Sequence, residues 1–191
     1  MRSRQRETST NRNAGFTLME VLVTVIILSI GLLGVAGMQF NSLKSNQGAL
    51  QSSLATMLVL DGADRLRSNT TGVTNAEYNL IFAAAADPGC IAAAAGCTPA
   101  QLADYDAFVW FANVAAQLPS GQGVICLDST PDDGAGTLNG TGVLNQGDAG
   151  CDGVATNGLN QYVVKVWWDH DRDGVAAVNT PLRRFVMSVI P

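Results

Sequence analysis

The pattern of apolar and polar positions divides the chain into three stretches. From Phe16 to Met38 it reads FTLMEVLVTVIILSIGLLGVAGM, 23 residues with one charge, Glu20. A helix rises 1.5 Å per residue, so this run is long enough to cross a hydrocarbon core of about 30 Å. After Met38 the composition turns polar, and Leu43, Leu50, Leu54, Met57 and Leu58 recur at helical spacing. That spacing predicts one apolar stripe and one continuous helix from Phe16 to Asn69, stopped by Thr70-Thr71-Gly72. Residues 70–97 read as Ala-rich loop and short helix. Thr98-Pro99-Ala100-Gln101 has the form of a capping box with Pro at the first helical position. It predicts a helix to Leu118 with Leu102, Tyr105, Val109, Ala112 and Ala116 on one face, ended by Pro119-Ser120-Gly121.

The remaining signals are those of strands. Val124–Asp128 reads as one, and residues 129–160, rich in Gly, Asp, Asn and Thr, read as long loops. Gln161–Trp168 sets Tyr162, Val164, Val166 and Trp168 against Val163, Lys165 and Trp167. Leu182–Ile190 sets Phe185, Met187 and Val189 against Arg184, Val186 and Ser188. Alternation of this kind predicts strands. The expected fold class is α+β, a long N-terminal helix packed on a small antiparallel sheet.

Charge sharpens this picture. The net charge is −5, yet residues 1–15 hold four arginines against Glu7, a net +3, which leaves −8 for the rest. A basic end beside an apolar run favours a cytoplasmic N-terminus and a body on the far side of the membrane. The acidic body argues against broad nonspecific binding of nucleic acid. Glu20 is the anomaly, since an acid held charged at depth in a bilayer costs roughly 2.5 kcal/mol or more. It reads either as a solvated headgroup-level residue or as the partner of an amine, such as the one that cleavage between Gly15 and Phe16 would create one turn away.

Four cysteines, Cys90, Cys97, Cys126 and Cys151, lack any C-x-x-C pair, and His170 is the one histidine, which argues against structural zinc. The even count in loop-like sequence reads as two disulfides in an oxidising compartment. Of the three pairings, Cys90–Cys97 and Cys126–Cys151 is favoured because each pair brackets one loop. Such bridges contribute roughly 2–4 kcal/mol. Asp169-His170-Asp171-Arg172-Asp173-Gly174 has the D-x-D-x-D-G opening of a calcium loop, with Thr180 where the closing Glu belongs. Asp169, Asp171 and Asp173 are thus candidate calcium ligands, against a plain acidic turn between two strands; no other cofactor is expected. Hydrolase and nucleotide-binding motifs are missing, and Gly134-Ala135-Gly136 and Gly140-Thr141-Gly142 have no strand–turn–helix frame, so an enzyme is not expected. Gly31, Gly34 and Gly37, spaced by three, either let neighbouring helices approach or reflect ordinary membrane glycine usage.

Gly15-Phe16-Thr17-Leu18-Met19-Glu20, after a short basic leader and before an apolar helix, resembles the signal of type IV prepilins and pseudopilins. The resemblance implies that a membrane prepilin peptidase removes residues 1–15 and N-methylates Phe16. It also implies that Glu20 pairs with the N-terminal amine of a neighbouring subunit. SIGLLGVAGMQF, with the helix end Leu60-Asp61-Gly62-Ala63-Asp64-Arg65-Leu66-Arg67-Ser68-Asn69, is similar to the PilV family of type IV pilus minor pilins. Asp106 and Trp110 on a helix, Leu-Pro-Ser-Gly and Val-Lys-Val-Trp-Trp-Asp agree with it. The implied organisation is a leader at 1–15, a transmembrane half-helix at 16–38, an amphipathic half-helix at 39–69 and a globular head at 70–191. The implied function is a minor pilin that primes or modifies pilus assembly and enters the pilus, with twitching motility and adhesion following by resemblance. A minor pseudopilin of type II secretion and a pilin-anchored adhesive module are the alternatives. Implied partners are the peptidase, other minor pilins, the major pilin, the assembly platform and the membrane. The implied location is the inner membrane with a periplasmic head, then the pilus at the cell surface.

Overall fold

The computed structural model describes residues 15–83, 85–139, 143–154, 161–170 and 182–190. In chain order these form α1 (Leu18–Ser68), α2 (Thr70–Thr74), α3 (Pro99–Gln117), β1 (Gln122–Leu127), a 3-10 turn (Gln146–Asp148), β2 (Tyr162–Trp168) and β3 (Arg183–Val189). The architecture is α+β. The chain divides into two units, Met1–Ser45 and Asn46–Pro191, with the boundary falling inside α1.

In the first unit the described residues are the start of α1. Its apolar side chains are exposed on every side: Val21, Ile26, Leu28, Leu33 and Met38 all face outward. The helix is long and apolar enough to cross a membrane. Thr24 and Ser29, inside the helical part of the run, are satisfied locally, Thr24 Oγ1 donating to the Val21 carbonyl at 2.8 Å and Ser29 Oγ to that of Val25 at 2.6 Å. Such back-bonding removes the cost of a bare hydroxyl in an apolar medium.

The second unit holds the core. Its share of α1 buries Gln51, Ala55, Leu58, Val59, Gly62, Ala63 and Leu66. This corrects the expected stripe: Leu50 and Met57 stay exposed, Leu54 is half-buried, and of the five only Leu58 is buried, Leu43 being exposed in the first unit. Close approach is the reason. A Cβ built on Gly62 would lie 3.0 Å from Val164 Cγ1 and 3.1 Å from Trp110 Nε1, so the small residues of α1 mark where sheet and α3 press against it.

The capping box of α3 is present as expected, with Thr98 and Gln101 bonded reciprocally and Pro99 opening the helix. The buried face differs from the expected one. Ala103, Asp106, Ala107, Trp110, Phe111 and Val114 face inward, while Ala112 and Ala116 are exposed. Two polar anchors set this rotation, Asp106 reaching Arg65 and Trp110 Nε1 donating to the Leu58 carbonyl at 2.7 Å.

The sheet has the order β1-β2-β3 and is antiparallel throughout. The register sets Gln122 opposite Trp167 and Tyr162 opposite Val189. Central β2 is buried along its whole length. One face gives Tyr162, Val164, Val166 and Trp168 to the main core with α1 and α3. The other gives Trp167 to a second core of Val124, Cys126, Leu138, Leu144 and Ala149. That second core is not legible in the loop-like sequence of residues 129–160, because Leu138 and Leu144 are isolated apolar residues among polar ones. Disulfides join Cys90 to Cys97 and Cys126 to Cys151.

Candidate functional site

The residues singled out for processing lie at the start of α1. Gly15, Phe16 and Thr17 precede the helix, are exposed and have no regular structure. The helix begins because Thr17 offers two acceptors: its carbonyl takes the N–H groups of Glu20 at 3.1 Å and Val21 at 3.3 Å. Its hydroxyl also accepts from Glu20 N at 3.3 Å. Glu20 stands in the first turn, where the helix dipole favours an acid, and its side chain is exposed. A Cβ added at Gly15, Gly31, Gly34 or Gly37 would meet nothing within 4 Å. The chain itself therefore imposes no requirement for glycine at these positions. Residues 1–14, the expected leader before Gly15, lie outside the described ones.

Within the second unit a buried polar network ties α1, α2 and α3 together. Asp106, 5 % exposed, accepts from Arg65 Nη1 at 2.9 Å and from Tyr78 Oη at 2.5 Å. Asn69 Nδ2 donates to Tyr78 Oη at 3.1 Å and to the Pro99 carbonyl at 2.7 Å, while its Oδ1 accepts from Gly72 N and caps α2. Burial opposes the charge of Arg65, but bonds to Asp61 and Asp106 outweigh it and hold the guanidinium firmly protonated. Burial, and then the bond to Asp106, pushes the Tyr78 hydroxyl well above the usual tyrosine range. The sequence marked Asp106 and Arg65 through a resemblance; nothing in the local pattern pointed to Tyr78 or Asn69 as their partners.

The second core encloses Lys165, which is fully buried. Its Nζ lies 2.6 Å from Asp128 Oδ2 and 3.2 Å from Asp133 Oδ1, and donates to the carbonyls of Gly150 at 2.6 Å and Asp133 at 3.2 Å. Arg184 donates to the carbonyls of Asp132, Asp133 and Gly134. Burial opposes ionisation of Asp133, yet the bond from Thr130 and the nearby Lys165 and Arg184 hold its carboxyl below the usual range. A buried cation must be surrounded by oxygens, and this one is. The arrangement is structural: it fixes the loop segments at Asp128, Asp133 and Gly150 on the sheet.

Of the candidate calcium ligands, Asp169 is buried, and its N–H donates to the Pro119 carbonyl at 2.9 Å. Asp171 and Asp173 lie outside the described residues. Among the described residues no group of three or more His, Cys, Asp or Glu is placed to hold a metal.

Comparison with known families gives two matches. Residues 10–36 match the prokaryotic N-terminal methylation motif, and residues 37–108 match the family model of type IV pilin Tt1218. The first spans Gly15, Phe16 and Glu20; the second spans Arg65, Asn69, Tyr78 and Asp106. No curated protein and no solved structure matches the chain.

Proposed function

Since the chain belongs to the type IV pilin family, we propose that it is a minor pilin of the PilV kind. In this reading it is cut after Gly15, held in the inner membrane with its head in the periplasm, and then built into the pilus, where it primes or modifies assembly. The family is structural, and the proposed role is packing, with no catalysis and no required cofactor.

One observation carries this reading. From Leu18 to Phe40 the large apolar side chains of α1 are left exposed by the described residues. Burying a Leu, Ile or Val side chain is worth roughly 1.5–3 kcal/mol. A surface of that size must be covered, first by lipid and then by the like helices of neighbouring subunits. Leu50, Met57 and Leu60, exposed in the head's share of α1, supply apolar contact of the same kind. Cleavage creates an amine at Phe16, and Glu20 of a neighbour would offset it, so each added subunit gains a charge pair.

The test is intact mass and N-terminal sequencing of membrane-extracted and sheared-pilus protein. The mature chain is expected to begin with N-methyl-Phe16 and to occur in sheared pili at low abundance, and Gly15→Val is expected to accumulate uncut. An uncut wild-type chain in cells with an active prepilin peptidase would overturn the reading. A processed chain absent from pili but required for protein secretion would move it to a secretion pseudopilus.

A further inference from the structure

We propose that Thr17 is a positioning residue for cleavage of the Gly15–Phe16 bond, acting by ending α1 two residues beyond it; the proposal rests on the processing step above. The hydroxyl of Thr17 accepts from Glu20 N, and its carbonyl accepts from Glu20 N and Val21 N. These are the bonds of an N-cap, in which a side-chain oxygen satisfies an otherwise orphaned N–H of the first turn. Thr17-Leu18-Met19-Glu20 also has the capping-box spacing. Gly15 and Phe16 consequently stay outside the helix, with Phe16 84 % exposed.

The cap matters because of what lies upstream. Gly15 itself and, before it, Asn13 are the nearest preceding residues of types that cap helices. A helix starting at either would place Phe16 in its first turn. The Gly15 carbonyl would then accept the N–H of Met19 along the helix axis. A peptidase attacks that carbonyl carbon and needs the segment extended, so the helical bond would have to open first. Gly15 and Thr17 thus serve cleavage in separate ways. Open space around Gly15 puts the need for a small residue on the enzyme's side, whereas Thr17 acts through the substrate's own backbone.

The experiment measures kcat/KM for purified prepilin peptidase acting on the full-length precursor in detergent micelles. Thr17→Val keeps the shape and removes the acceptor; Thr17→Asn and Thr17→Ser keep a capping oxygen. Losing a cap of ordinary strength is expected to slow cleavage about fivefold in Thr17→Val, with Thr17→Asn and Thr17→Ser close to wild type. Backbone chemical shifts of Gly15 and Phe16 should move to helical values in Thr17→Val alone. Wild-type rates for Thr17→Val overturn the proposal. So does a pattern in which Thr17→Ser is normal and Thr17→Asn is as slow as Thr17→Val, since the enzyme would then be reading the hydroxyl. A wild-type precursor that the peptidase does not cut overturns the processing step itself, and the chemical shifts then report the cap separately.

Discussion

Replacing Asp106 by Ala tests the network that holds the three helices together. The carboxylate is buried and takes bonds from Arg65 and Tyr78. Its removal leaves Arg65, only 19 % exposed in its side chain, with Asp61 as its remaining ion-pair partner among the described residues. Breaking a buried pair by deleting one member costs about 3–5 kcal/mol, most of it from the stranded charge. Because Asp61 still holds one edge of the guanidinium, the expected loss is near the lower end, about 3 kcal/mol. For a chain of this size that corresponds to a fall in Tm of roughly 10 °C. Asp106→Asn keeps an acceptor for Tyr78 and should lose about half as much. The control is Arg67→Ala, which removes the exposed pair with Asp64 and should change stability by less than about 0.5 kcal/mol. Tryptophan fluorescence during thermal unfolding in detergent reads the head selectively, because Trp110, Trp167 and Trp168 all lie within it. A fall for Asp106→Ala no larger than that for Arg67→Ala would refute the reasoning.

Glu20→Ala should leave membrane insertion and cleavage largely intact and lower the amount found in sheared pili at matched membrane levels; equal incorporation would rule out the charge pair. Replacing both Cys126 and Cys151 by Ala opens a bridge spanning 25 residues and should cost about 3 kcal/mol, more than the Cys90 and Cys97 pair, as measured by urea unfolding. Bonds from the Ser129 hydroxyl and the Val154 N–H hold the Asp152 carboxyl below the usual range. Its contribution is therefore present above the ordinary carboxylate pKa and is lost on acidification, so the Tm gap between wild type and Asp152→Ala should narrow from pH about 5 to pH about 2. Burial pushes Tyr162 up to about 12, so the head should lose stability as pH rises above about 10, and Tyr162→Phe should flatten that limb of the pH profile.

The long helix, the capped α3 and the three strands were legible because each rests on local chemistry: an unbroken apolar run, a Thr-Pro-x-Gln cap, and alternation in Tyr162–Trp168. The faces of the helices were not. Weighing side chains by size favoured Leu50 and Met57 in α1 and Val109 in α3. The packed faces instead centre on Ala55, Gly62 and Ala63, and on Ala103 and Ala107, where small residues let backbones approach. Lys165 was equally hidden, since a lysine alternating with valines reads as the outward face of a strand. Only the fold reveals that Asp128 and the carbonyls of Asp133 and Gly150 enclose it. At the start of α1 the motif residues were visible, while the capping role of Thr17 required the hydrogen bonds to Glu20 and Val21.

The placement of β2 at the centre of the sheet sets a schedule. A chain is synthesised from its N-terminus at about 5–20 residues per second. Its early contacts are short in sequence, 41 residues from Arg65 to Asp106 and 52 from Leu58 to Trp110. They let α1, α2 and α3 associate before any strand exists. Val164, against which Gly62 is packed, emerges roughly 5–20 s after Gly62 at that rate, and β3 later still. Until then the inner side of the helical layer lacks the cover of β2 and β3, and contacts of such long range form slowly. The Arg65–Asp106 tie is thus available to the helical layer before β2 is, and substitutions that weaken it should lower the yield of folded chain before they alter the finished molecule.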